Sequence, residues 1–178
     1  MKFLVAIDSY KGCLSSLEAG KAACRGLLSA YPKAEVKVVP VSDGGDGMLD
    51  AFVSALDGSI VSVETRDAMM RRVSAKYGVV NDTAILEVAQ AIGLSMIKPE
   101  ERNAVRATSY GVGLMLADAI NRGYKHFIIG LGGTATSDAG IGMLRALIDK
   151  LGKPGKYTLK VLVYFQYNQR YDKYYTKQ

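Results

Sequence analysis

Over its first and last thirds the chain alternates short β-branched apolar runs with capped helical patterns, and glycine- and carboxylate-rich loops fall between them. Such alternation predicts an α/β fold with parallel strand pairing, because a parallel pair needs a crossover long enough to hold a helix. Residues 2–7 form an apolar run of the buried-strand type. Ser15 and Glu18 have capping-box spacing, which starts a helix that reaches about residue 30 and stops before Pro32. Residues 35–41 alternate as a second strand, and 48–56 are helix-like with Gly58 as the C-cap. Residues 59–65, 73–80 and 84–88 read as strands, with Asn81-Asp82 as a turn. Thr108 or Ser109 caps a helix to about Asn121, followed by Gly123. Residues 125–129 form another buried-type strand, and a helix to about residue 147 follows the glycine-rich segment 130–142.

The formal charge of +6 over 178 residues would suggest a polyanion partner, but its position argues otherwise. Residues 149–178 carry +5 of it and six of the eleven tyrosines, so the body is close to neutral. A basic aromatic segment can stack single-stranded bases. Its Lys, Tyr, Asn and Gln bias also matches out-of-frame translation of AT-rich DNA, and a segment foreign to the preceding gene is the expectation here. No specific nucleic-acid partner is therefore expected. No apolar run approaches the ~20 residues that span a bilayer, and Asp8 interrupts the N-terminal apolar stretch, so neither a membrane segment nor a signal peptide is expected. Cys13 and Cys24 lack CxxC spacing and read as reduced thiols of a cytoplasmic protein.

Three loops carry the chemistry. Asp8-Ser9-Tyr10-Lys11-Gly12 places a carboxylate, a hydroxyl, an ammonium and a glycine after the first strand, which suits phosphate or Mg²⁺ handling or a solvated polar loop. Asp43-Gly44-Gly45-Asp46-Gly47 bares its backbone N–H groups before a helix, for an anion, for Mg²⁺ through its two carboxylates, or for a plain tight turn. Gly130 to Gly142 follows a strand and opens a helix, and Gly130, Gly132 and Ala135 fit a loose dinucleotide fingerprint. Walker, HExxH and GxSxG motifs are absent from the sequence. His126 reads as structural, Met69, Met70 and Met143 as packing residues, and Glu87 as either a site residue or a helix cap. Spacing alone thus points to an enzyme acting on a phosphorylated or anionic small molecule.

Four blocks sharpen this: AIDSYKGCLSSLEAGKA (6–22), PVSDGGDGMLDA (40–51), ERNAVRATSYGVGLML (101–116) and IIGLGGTATSDAGIGMLRAL (128–147). In their order and spacing the chain resembles the bacterial glycerate kinase family, up to about residue 147. Weaker support comes from RDAMMRRVSAKYGVV (66–80) and ILEVAQAIGL (85–94). Against the usual family run, Thr134, Ser137 and Ala139 replace Ser, Asn and Gly, and Asp46 stands where Glu is common. The extra methyl of Ala139 is tolerable if its φ is negative.

The resemblance implies a two-domain α/β architecture. Residues 1–60 would belong to a Rossmann-like parallel domain, incomplete here, residues 61–148 to a second α/β domain, and residues 149–178 to neither. Because family members are considerably longer, uncovered apolar faces and marginal stability are further expectations, and both an active and an inactive product fit the sequence. The implied activity is ATP-dependent phosphorylation of D-glycerate, at the 2-hydroxyl, with Mg²⁺. A non-catalytic nucleotide- or dinucleotide-binding module is the alternative.

Roles within the implied site follow from residue chemistry. Asp8, Lys11, Asp43, Asp46 and Asp138 are the catalytic candidates. Ser9, Gly44, Gly45, Arg66, Gly132, Gly133, Thr134 and Thr136 are the substrate- and phosphate-binding candidates, with Asp43 and Asp46 for Mg²⁺.

Overall fold

The computed structural model describes residues 1–10, 13–152 and 160–164, the last five by backbone alone. Two sheets form, and the smaller is a parallel pair, β1 (Lys2–Val5) and β2 (Glu35–Val38), crossed over by α1 (Ser16–Ala30). The predicted capping box starts α1: the Ser15 hydroxyl accepts the Glu18 N–H, and the Glu18 carboxylate accepts the Ser15 N–H at 2.9 Å. Gly20 lets α1 lie close on β2, since a Cβ there would stand 2.5 Å from Val38 Cγ1. Ser16 then ties the two strand ends together, its hydroxyl donating to Ile7 O at 2.7 Å and accepting the Val41 N–H at 2.9 Å.

The second sheet holds β3 (Ser59–Arg66), β4 (Arg72–Val80), β5 (Thr83–Glu87), β6 (His126–Gly130) and β7 (Lys160–Tyr164), in that spatial order. Parallel pairing holds for β5–β6 and β6–β7, whereas β3–β4 and β4–β5 are antiparallel. The reason is connection length: residues 67–71 and 81–82 are too short for a crossover. Buried Asp67 shapes the first of these turns by accepting the N–H groups of Met69 at 2.8 Å and Arg71 at 2.9 Å, with the Arg71 guanidinium on its other oxygen. Asn81 takes φ 53° in the second. The basic segment supplies β7, and its residues 153–159 and 165–178 lie outside the described residues.

Helix α2 (Met48–Ala55) packs on β4 and β5, while α4 (Tyr110–Asn121) and α5 (Ile141–Leu151) pack on each other; a short α3 (Ala89–Ile92) follows β5. The left-handed residue after α2 is Asp57, at φ 55°, and not Gly58. Gly58 is required for space instead, because its Cβ would lie 2.7 Å from Val80 Cγ2. Helix α5 also extends past residue 147, to Leu151. The main core, with Tyr77, Leu86, Val112, Met115 and Phe127 fully or nearly buried, sits between the second sheet and α4. Met69 and Met143 pack against it as expected, but Met70 does not: it is 45% exposed at φ 66°. His126 faces Asp82 across 2.7 Å, a structural pairing at the start of β6. Apolar Leu4, Ile141, Leu144 and Ile148 are exposed. No helix among the described residues is long and apolar enough to cross a membrane, and Cys13 and Cys24 are free thiols.

The α4–α5 contact depends on Gly113, where a Cβ would come within 2.3 Å of Met143 O and 2.6 Å of Ala146 Cβ. Helix propensity alone would make Gly113→Ala stabilising by about 1 kcal/mol. The overlap with a backbone carbonyl predicts the opposite sign, a lowered Tm on thermal denaturation, and a raised Tm would show that the two helices are further apart.

Candidate active site

In sheets with parallel strands, ligands collect at the carboxyl ends. The three predicted loops leave the carboxyl ends of β1, β2 and β6, and β5 ends beside them at Glu87. Two of the loops interlock through backbone alone. Gly44 O accepts the Gly132 N–H at 2.9 Å, and a Cβ on Gly132 would stand 2.4 Å from Gly45 Cα. Gly133, at φ 70°, lies under the Asp46 carboxylate, whose Oδ1 would be 2.9 Å from an added Cβ. The Asp43–Gly47 loop keeps its shape through the Asp43 carboxylate, which accepts the Gly45 N–H at 2.9 Å, and through Gly44 and Gly47 at φ 87° and 90°.

Across from this knot, Ser9 and Asp46 line one cleft of about 300 Å³, together with Tyr10, Ser15 and Gly47. The structure therefore brings together Ser9, Asp43, Gly44, Gly45, Asp46, Gly132 and Gly133. Asp8 is exposed at the end of β1, one oxygen accepting the Ser9 N–H at 2.7 Å. Lys11 lies outside the described residues.

The rest of the third loop differs from expectation. Gly132 was expected to offer its N–H to a phosphate, but that group is taken by Gly44 O; the glycine is there for close approach. The dinucleotide fingerprint fails for the same reason, since the Ala135 N–H bonds Ile92 O at 2.8 Å and α5 begins only at Ile141. Among the described residues, the N–H groups of Gly133, Thr134 and Thr136 have no acceptor. Thr134 and Thr136 face a separate, mostly apolar cavity of about 500 Å³ walled by α4, α5 and β6.

Asp138, expected as a base or metal ligand, has both oxygens engaged by donors. Its Oδ2 accepts the Ser109 N–H at 2.8 Å, the Ser109 hydroxyl at 2.9 Å and the Gly142 N–H at 3.1 Å, and its Oδ1 accepts the Gly140 N–H at 3.1 Å. Burial pushes this carboxyl up, but the donors from Ser109, Gly142 and Gly140 outweigh it and hold the group below the ordinary carboxylate range. Asp138 is a brace between the starts of α4 and α5. Arg66, the expected carboxylate clamp, sits at the β3–β4 turn, with Nη1 3.4 Å from Met70 O and its backbone against Gly111 of α4. No hydrogen bond or ion pair joins it to the interlocked loops among the described residues.

Sequence reasoning left Glu87 undecided. It is buried at the end of β5, where its Oε2 accepts the Leu49 N–H at 2.9 Å. Burial raises its carboxyl above the ordinary range, against hydrogen bonds from Leu49, Gln90 and Gly47. Ser16 and Ser109 were missed as ties: the Ser109 hydroxyl accepts the Met143 N–H of α5 at 2.9 Å, so this residue caps a helix other than its own. Only its place beside a predicted helix start signalled it.

A metal finds an incomplete donor set here, since no group of three His, Cys, Asp or Glu gathers among the described residues. Asp43 and Asp46 suit an ion that brings phosphate oxygens and water with it.

A family model described as the glycerate kinase family matches residues 3–161. The chain belongs to the glycerate kinase family. The match runs past residue 147, so part of the basic segment lies within the family's span, contrary to the boundary read from the motifs. A glycerate kinase of Haemophilus influenzae is 39% identical over 160 residues, covering 86% of this chain and 42% of that protein. A glycerate 2-kinase of Escherichia coli K12 is 38% identical over 153 residues, covering 85% and 40%. A crystal structure of a protein assigned as glycerate kinase 2 from Salmonella typhimurium LT2 superposes with a TM-score of 0.73 at 42% identity, covering 83% of this chain and 40% of that one. The chain thus spans about two fifths of the length of the curated relatives it matches.

Two predictions follow from the Asp138 turn. Ala139 adopts φ 52°, not the negative value that would make its methyl harmless, so Ala139→Gly relieves left-handed strain. Offset by the greater freedom of glycine in the unfolded chain, the gain should be up to about 1 kcal/mol, read as a raised Tm. The second is pH-dependent. Because the folded pKa of Asp138 is lowered, its contribution is complete above the unfolded value near ~4 and is lost as pH falls through the folded one. The stability gap between wild type and Asp138→Asn should therefore be flat from about pH 5 to 8 and close below about pH 4. A gap independent of pH in denaturant titrations would contradict the brace.

Proposed function

We propose that this chain carries the acidic and glycine loops of a cytoplasmic glycerate kinase, which transfers the γ-phosphoryl group of ATP to the 2-hydroxyl of D-glycerate and yields 2-phosphoglycerate and ADP. The observation that carries this reading is the interlock of Asp43–Gly47 with Gly130–Gly133 at the carboxyl ends of parallel strands, in a chain of this family. The β1–α1–β2 unit supports a Rossmann-like domain over residues 1–60 and the second sheet a further α/β domain over 61–148, although α2 packs on the latter.

Phosphoryl transfer leaves a protein little covalent work beyond positioning and neutralising charge. The N–H groups of Gly133, Thr134 and Thr136 are the donors suited to phosphate oxygens. Lys11 would add a positive charge from the first loop. Asp43 and Asp46 would hold Mg²⁺ jointly with the phosphates, and the bound ion would neutralise their charge. Ser9, across the cleft from Asp46, suits a hydroxyl of glycerate. With both Asp138 oxygens engaged at helix starts, the more exposed Asp8 is the carboxylate suited to accept the proton of the attacking hydroxyl. The filled N–H groups of Gly132 and Ala135 disfavour the dinucleotide-binding alternative.

A coupled ADP-release assay with ATP, Mg²⁺ and D-glycerate tests the reading. Glycerate-dependent turnover is expected, reduced about 10²-fold or more in Lys11→Ala and in Asp46→Ala, the scale on which single preorganised charge-stabilising groups act. A folded chain that releases no ADP in response to glycerate would overturn the reading for this chain.

A further inference from the structure

Glu87 has no role in the scheme above, yet it is one of the most deeply buried side chains of the molecule, 2% exposed at the end of β5. A carboxyl group that far from water is costly unless its oxygens are hydrogen-bonded. Its donors are the Leu49 N–H at 2.9 Å and the Gln90 side-chain amide at 3.3 Å; no Lys, Arg or His pairs with it among the described residues.

The backbone donor, Leu49, belongs to the start of α2, which cannot cap itself. Its N-cap is Gly47, at φ 90°, with no side chain to offer. Helix starts leave orphan N–H groups and favour negative charge, and here a carboxylate 38 residues away in sequence supplies both needs. The same helix start carries Met48, whose sulfur lies where a Cβ on Gly130 would be, and continues from the loop whose Gly44 O holds the Gly132 N–H. Glu87 also pairs with Gly130 in the β5–β6 register, so it reaches both loops from below.

We infer that Glu87 is a positioning residue, which caps α2 from the end of β5 and thereby sets Asp43 and Asp46 against Gly132 and Gly133 without touching substrate. Its functional half rests on the kinase reading of these loops; its structural half stands on the contacts alone.

The test uses the full chain with Glu87→Ala and Glu87→Gln, read by residue-resolved amide hydrogen exchange and by the ADP assay. In Glu87→Ala, exchange should quicken tenfold or more at residues 47–49 and also at Gly132, while the β3–β4 ladder and Tyr77 keep wild-type rates. Glu87→Gln keeps an acceptor for Leu49 and should restore most of that protection. In turnover, Glu87→Ala should lower kcat about tenfold or more with KM changed far less, and Glu87→Gln should recover it. Unchanged exchange at Gly132, equal loss of protection throughout the chain, or an unaffected kcat in Glu87→Ala would each overturn the inference. If wild type shows no turnover at all, the kinase reading fails and the exchange result still decides whether Glu87 holds the two loops together.

Discussion

Two backbones pass so closely at Gly44–Gly45 and Gly132 that no side chain fits between them, and the placement of the candidate site depends on that approach. The 2.9 Å bond from the Gly132 N–H to Gly44 O joins the loop after β2 to the loop after β6, and so couples the two sheets at the ends where ligands gather. A Cβ at Gly132 would meet Gly45 Cα at 2.4 Å, and one at Gly130 would meet Gly44 O at 2.7 Å. Backbone cannot yield as a flexible side chain can, so either methyl would push the Asp43–Gly47 loop off the strand ends. The glycines therefore act by what they lack. A loop that looks like an anion cradle from its composition has part of its N–H inventory closed internally, and its remaining donors begin at Gly133.

A second device uses charge to the same end. Asp138 and Ser109 form a reciprocal cap in which one carboxylate receives donors from the starts of α4 and α5, and the serine hydroxyl bridges to Met143. Gly142 makes room for it, since a Cβ there would lie 2.1 Å from Thr108 Oγ1. Two helix starts with orphan N–H groups would each need a cap; bringing them together lets a single acidic turn serve both. The left-handed Ala139 is the local strain that accompanies this turn, at φ 52°.

Much of the fold was legible because it is written locally. The capping box at Ser15, the strand runs before the loops and the glycine after α4 are signals within one turn or one strand, and the structure places them within a few residues of expectation. The antiparallel β3–β4–β5 meander was also implicit, in the short connections at 67–71 and 81–82, once length is weighed against the crossover requirement. The candidate site was legible only in part. Glycine composition does not say whether a bare N–H faces a ligand or a neighbouring carbonyl, and Gly132 turned out to face the latter. The roles of Asp138, Ser16 and Glu87 arise from contacts 25 to 38 residues apart in sequence, which no local pattern encodes.

Hydrogen-bond saturation sorts the acidic residues more sharply than sequence position does. Asp138 has both oxygens on helix-start donors, and Glu87 has one oxygen on the Leu49 N–H and the other on the Gln90 side-chain amide, so both carboxylates hold structure. Asp43 is intermediate, with one oxygen in its own turn. Asp46 and Asp8 are exposed, the first beside Gly133 on the cleft and the second at the end of β1. Under the proposed kinase reading, a site built this way separates the charges that fix geometry from the charges that meet the ligand. The buried group holds the helix start through directional bonds that solvent does not loosen, and the exposed groups keep the freedom to take up a metal ion or a proton. The order of burial from Glu87 through Asp43 to Asp46 then runs from scaffold to chemistry along a single loop and its support.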